Sequence, residues 1–304
     1  MRLLLLIAIL LTTSELFFAQ EATQLVIREY PEMKETPPQF FLLRGLSREH
    51  RHWGEDFISA LKKQFPDAKY TFMDLPGAGD HHDQKSYLSV KKMANFLHEQ
   101  HGDSLAAHKG NNILLATSLG GIVALEWIDS YPDDFGGIIM VSSSFKGICK
   151  GKERAQPKAK REMMSILLTG DMPKREQKLL NINSNHRADD EALLQQWIQI
   201  QEERPISRWT MVKQGIGGML YRPKKKKVTI PVLILGSLED RLVAPSCICK
   251  VGDWYKGEYA FHPDSGHGMP IDAPEWMMNV SADWWERQLA AHKKKQIVEQ
   301  TVSR

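Results

Sequence analysis

A chain of 304 residues with 42% hydrophobic side chains can bury a substantial core, which excludes disorder as its default state. Lys and Arg number 40 against 37 Asp and Glu, and the resulting charge of +3 is far from the concentrated basic excess of a nucleic-acid binder. Three cysteines are too few for a disulfide framework, and Cys247 and Cys249 are too close in sequence to bridge each other. Cys149, Cys247 and Cys249 are therefore expected as buried or idle thiols.

The amino terminus reads as an export signal. Arg2 is followed by the apolar run Leu3 to Leu11 and by Thr12, Thr13 and Ser14. The run is shorter than the roughly 20 residues a membrane span needs, and Glu15 interrupts the next apolar patch. The expectation is a signal over residues 1–20 and a periplasmic or secreted protein. An uncleaved anchor, with membrane association through this segment, is the alternative.

Short β-rich runs then alternate with longer helical stretches, the pattern of βα units around a mostly parallel sheet buried on both faces. Strands are expected at Phe40 to Leu43, Lys69 to Met73, Ile113 to Ala116 and Ile138 to Val141, with a further edge strand at Leu25 to Arg28. Helices fall near Glu55 to Phe65, Tyr87 to His101 and Gly120 to Asp129. Residues 150–227 break the alternation: Met163 to Leu168, Glu176 to Leu180 and Glu191 to Ile200 read as helices of an insertion. Gly215, Gly217 and Gly218 follow a helical stretch there and suggest bends or close packing, while Lys224 to Lys227 reads as a solvated loop at the return to the sheet. Strands return at Val232 to Leu235 and Tyr259 to Phe261, and a last helix begins near Pro274. The core thus occupies residues 21–149 and 228–304, on either side of the insertion.

Three residues carry the chemistry. The strand ending at Ala116 runs into Thr117, Ser118, Leu119, Gly120 and Gly121 and then a helix, so Ser118 sits on a tight strand-to-helix turn flanked by the small residues Ala116 and Gly120. A serine hydroxyl is a poor nucleophile until a base takes its proton, and the base in turn needs an orienting acid. Asp240 lies beyond the strand ending at Leu235, with Glu239 as its close rival, and His267 follows the next strand in the sequence Ser265-Gly266-His267-Gly268. In a parallel sheet these strand ends share one edge, where residues distant in sequence converge.

At this point the chain resembles the α/β-hydrolase family, over most of residues 40–292 outside the insertion. Asp74-Leu75-Pro76-Gly77-Ala78-Gly79 is similar to the family's loop after its fourth strand, and Arg44-Gly45 with Trp53 resembles its oxyanion segment, although the family usually has histidine where Arg44 stands. The resemblance implies an α/β-hydrolase fold with residues 150–227 as a helical lid, and Met163, Met164, Leu167 and Trp197 as residues that line a pocket or pack the lid. It implies an oxyanion hole of the Leu46 and Leu119 amides. The activity implied is hydrolysis of an ester-type acyl bond of a small-molecule substrate, carboxylesterase or lipase-like, with no cofactor and no metal. A thioesterase, peptidase, acyltransferase or non-catalytic binding protein would use the same frame. Asp80, His81, His82 and Asp83, with His50 and His52, include metal-ligand residue types, but adjacent side chains point apart and the run reads as a polar loop. Gly77 and Gly79 lack the third glycine of a dinucleotide loop.

Overall fold

Strands whose residues are apolar on both faces must be covered on both faces, and β1 (Gln39–Leu43), β3 (Asn112–Thr117), β4 (Gly137–Val141) and β5 (Val232–Ser237) are buried along their whole length. The structure, a computed structural model, describes residues 36–224 and 228–302, with side chains to residue 294. The expected export signal and the edge strand at residues 25–28 lie outside the described residues. β2 (Lys69–Met73) and β6 (Glu258–His262) are only partly buried, as befits edges. Among the described residues the sheet has six strands, all parallel, in the order β2-β1-β3-β4-β5-β6.

Helices α1 (Glu55–Gln64), α2 (Val90–Ala107) and α3 (Leu119–Ser130) follow the first three strands. Between β4 and β5 come α4 (Gly151–Arg154), α5 (Pro157–Leu168), α6 (Met172–Asn183), α7 (Glu191–Glu203) and α8 (Arg208–Leu220). The chain closes with α9 (Pro245–Tyr255), the short α10 (Met269–Asp272) and α11 (Pro274–Val302). Strand alternation divides the core. Phe41, Leu43 and Leu114 face α2, α3 and α9, whereas Phe40, Leu42 and Leu115 face Trp53, α1 and the Met277, Met278, Trp284 and Trp285 side of α11.

The segment between β4 and β5 has its own apolar cluster, including Leu179, Leu180, Leu193, Trp197, Ile206 and Met211. Trp197 is buried there, Met163 and Leu167 pack against the cluster, and Met164 is exposed. Asp171, Asp190 and Ser207 each cap a helix of this segment by accepting a backbone N–H, from Lys174, Leu193 and Thr210 respectively. Gly215, Gly217 and Gly218 lie within α8 rather than after it, and close packing explains two of them. A Cβ on Gly217 would lie 2.4 Å from the Leu88 carbonyl oxygen, and one on Gly218 would lie 2.5 Å from Leu119 Cδ1.

Helix propensity favours alanine over glycine by roughly 1 kcal/mol, but overpacking against backbone costs about 1–3 kcal/mol. Gly217→Ala is therefore expected to destabilise the protein. Gly102→Ala, in α2 with nothing within 4 Å of the added carbon, is expected to stabilise it by about 0.5–1 kcal/mol. Urea midpoints of the two variants, moving in opposite directions, check the packing of α8.

One cysteine expectation is corrected. Cys149 and Cys247 form a disulfide, with Cα atoms 5.3 Å apart, leaving Cys249 as the free thiol. The residues lie on different elements, one just after β4 and the other in the first turn of α9, so sequence proximity says nothing about their pairing. The bridge closes a separation of 98 residues, for which chain-entropy arguments give about 4–5 kcal/mol. Urea unfolding with and without reductant is expected to show a loss of that order, with one alkylatable thiol in the unreduced, unfolded chain.

Candidate active site

The turn after β3 holds Ser118 at φ 53° and ψ −116°, a backbone conformation costly for any residue but glycine. The surroundings overdetermine it. The Ser118 N–H donates to the Val141 carbonyl at 2.8 Å, and Ser143 Oγ donates to the Ser118 carbonyl at 3.0 Å. Gly120 follows because a Cβ there would lie 2.7 Å from both the Leu43 and Arg44 carbonyl oxygens. This strand, strained turn and helix lift a half-buried hydroxyl at the C-terminal edge of the sheet.

The loop after β5 brings Asp240 to the same edge, and the loop after β6 brings His267. His267 Nε2 is 2.9 Å from Ser118 Oγ, and His267 Nδ1 is 2.9 Å from Asp240 Oδ2. The other carboxylate oxygen, Asp240 Oδ1, accepts the backbone N–H groups of Leu242 at 2.7 Å and Val243 at 3.0 Å. Asp240 and His267 are only 4% and 8% exposed, so their contact is largely shielded from water. Glu239, the rival acid, is exposed, and its backbone N–H is 3.2 Å from Ser237 Oγ.

Leu119 is the first residue of α3, where backbone N–H groups have no acceptor within the helix. A Cβ on Gly45 would lie 3.0 Å from Ser118 Cβ and 3.6 Å from the Leu119 nitrogen, so Gly45 runs directly beside the serine. Arg44 is buried with its guanidinium carbon 4.9 Å from the Trp53 ring centroid. Burial, and secondarily the neighbouring Arg48, push its pKa down to about 9.

Sequence reasoning missed Arg48 and Glu176, which form a buried ion pair of 2.8 Å between the loop after β1 and α6. Arg48 also stacks 4.0 Å from the Trp197 ring centroid. No spacing rule links residues so far apart. Burial and nearby arginines hold the pKa of His52 well below the ordinary histidine value.

Among the described residues, the group whose side chains lie close enough together to hold a metal ion is Glu49, His50 and Asp74, not the run from Asp80 to Asp83. Several of their donor atoms are already engaged, although the buried Glu49 Oε2 accepts no hydrogen bond. Asp74 accepts the His50 N–H at 2.7 Å and the Asp80 N–H at 3.0 Å, its Oδ2 is 2.6 Å from His50 Nδ1, and Glu49 Oε1 is 3.0 Å from Arg51 Nε. The hydrogen bond to Asp74, partly opposed by burial, raises the His50 pKa.

A parallel sheet with a serine, a histidine and an aspartate converging beyond the C-terminal ends of its strands defines an α/β protein of hydrolase type. The sequence matches the alpha/beta hydrolase family over residues 40–280, and the chain belongs to that family. No curated protein matches it. Solved structures share the fold at low identity. An esterase from Exiguobacterium antarcticum superposes with a TM-score of 0.65 at 17% identity, covering 83% of this chain and 93% of the other. A thermophilic esterase from Thermogutta terrifontis gives 0.63 at 16% identity, covering 86% and 93%. An esterase from Rhodococcus sp. ECU1013 gives 0.63 at 18% identity, covering 81% and 90%.

Proposed function

We propose that the protein is a serine hydrolase of ester-type acyl bonds, carboxylesterase or lipase-like, in which Ser118 is the nucleophile, His267 the general base and Asp240 the orienting acid. The carrying observation is the continuous relay from Asp240 Oδ2 through the imidazole to Ser118 Oγ, each step 2.9 Å. With Asp240 accepting the Nδ1 proton, His267 Nε2 presents a lone pair to the serine hydroxyl. Ser118 Oγ attacks the ester carbonyl carbon as its proton passes to Nε2, and the tetrahedral oxyanion is met by the Leu46 and Leu119 amides. Collapse expels the alcohol, which takes the proton from Nε2. Water then attacks the acyl-enzyme through the same base, releasing the carboxylic acid and restoring the serine.

The helices between β4 and β5 act as a lid over Ser118 in this reading. Support comes from α8, whose Gly218 abuts Leu119, and from Gly215, where a Cβ would lie 3.8 Å from Leu46 Cδ2. The test is hydrolysis of short- and long-chain p-nitrophenyl esters, together with labelling of Ser118 by a fluorophosphonate. Activity with labelling supports the reading, and the preferred chain length measures the space under the lid. A folded protein that neither reacts with the probe nor hydrolyses any ester overturns it in favour of a binding role.

Export remains part of the proposal. A disulfide persists in oxidising compartments, so the Cys149–Cys247 bridge supports a periplasmic or secreted location. Terminal sequencing of fractionated protein tests it, and an intact Met1 in the cytosol contradicts it.

A further inference from the structure

The loops carrying Asp240 and His267 are both fastened to one short stretch of the helical segment, residues 183–185 at the end of α6. Gly268, next to His267, donates its N–H to the Asn183 carbonyl at 2.7 Å. The Asn185 side chain reaches both loops. Its Nδ2 donates to the Glu239 carbonyl at 3.1 Å and the Asp264 carbonyl at 3.0 Å, and its Oδ1 accepts Arg241 Nε at 2.8 Å. Arg241, adjacent to Asp240, also donates to the Ser184 carbonyl at 2.6 Å.

Asp272 completes the knot from α10. One carboxylate oxygen accepts the N–H of Gly266, immediately before His267, at 2.6 Å and that of Asn185 at 2.8 Å. The other accepts the Ser184 hydroxyl. The carboxylate thus joins the base loop to the helical segment, and Asn185 joins that segment to the acid loop. Because Asp240 and His267 are on separate loops, their 2.9 Å contact depends on how those loops are held relative to one another.

On the catalytic reading above, we propose that Asp272 and Asn185 are positioning residues, which use residues 183–185 as a brace to set the distance and angle between the acid and the base. The helical segment is accordingly fixed at this edge.

The test compares wild type with Asp272→Asn and Asn185→Ala. The readouts are steady-state kinetics on p-nitrophenyl acetate, thermal melting, and the imidazole ¹⁵N shifts of His267, which report the nitrogen that carries the proton. In Asp272→Asn the amide oxygen replaces only one of the two carboxylate acceptors, so the NH₂ must face either the Ser184 hydroxyl or the Gly266 and Asn185 N–H groups, all of which donate to Asp272. That variant is expected to lose about 100-fold in kcat with KM changed less than about threefold, the signature of misplaced chemistry rather than weakened binding. The ¹⁵N shifts are expected to move from one tautomer with Nδ1 protonated to a mixture, and Asn185→Ala to move the same way by a smaller amount. If Asp272→Asn fails to fold, Asn185→Ala carries the test with the same readouts. Folded variants with kcat within twofold of wild type and an unchanged tautomer overturn the proposal. The ¹⁵N shifts need no turnover, so a wild type inactive on every ester defeats the hydrolase reading without deciding the brace.

Discussion

Replacing Ser118 with alanine is expected to lower kcat for p-nitrophenyl ester hydrolysis by about a millionfold, to the level left by binding and the oxyanion amides. The size of the loss follows from how the three groups act. His267 Nε2 is 2.9 Å from Ser118 Oγ, and in the proposed mechanism it serves the reaction only through that hydroxyl, so removing the serine would disable base and acid with it. The substitution itself should be benign, because Ser118 is held in its turn by backbone and Ser143 contacts, and alanine keeps the backbone N–H and carbonyl that make them. Melting at the wild-type temperature together with lost fluorophosphonate labelling is the expected pair of results. Persistent labelling of the alanine variant would move the nucleophile elsewhere.

Changing Asp240 to asparagine is expected to cost about 10⁴-fold in kcat, whereas Glu239→Gln should stay within a few-fold of wild type. The amide at position 240 can still accept the Leu242 and Val243 N–H groups through its oxygen, which hold Asp240 Oδ1 at 2.7 and 3.0 Å. Its NH₂ then faces His267 Nδ1 and imposes the tautomer whose protonated Nε2 cannot accept from Ser118. Glu239 projects into solvent and has no contact with His267 among the described residues. Kinetics of the two variants on one short-chain ester separate the acids, and a steep loss in the glutamate variant alone would reverse the assignment.

The legibility of this protein followed the range of the interactions. Continuous apolar runs exposed β1, β3, β4 and β5, because a strand buried on both faces needs hydrophobic residues at every position. Ser118 was readable because its turn is built from consecutive residues, and Asp240 and His267 because each follows a strand. The α8 helix was not expected, since Gly215, Gly217 and Gly218 read locally as bends or close packing after a helical stretch. The close approach of Gly217 to Leu88 and of Gly218 to Leu119 comes from distant parts of the chain.

By itself the amino-acid sequence determined the alternation of buried strands and amphipathic helices, hence the parallel sheet, and with it the edge at which Ser118, Asp240 and His267 had to meet. The tertiary structure alone decided the pairing of Cys149 with Cys247, the burial of Arg48 against Glu176 and the hydrogen bonds from Asp272 and Asn185 to the loops that carry His267 and Asp240. Local periodicity and turn chemistry are written in neighbouring residues, whereas a partner 98 or 128 positions away is chosen only when the folded chain brings the two side chains together.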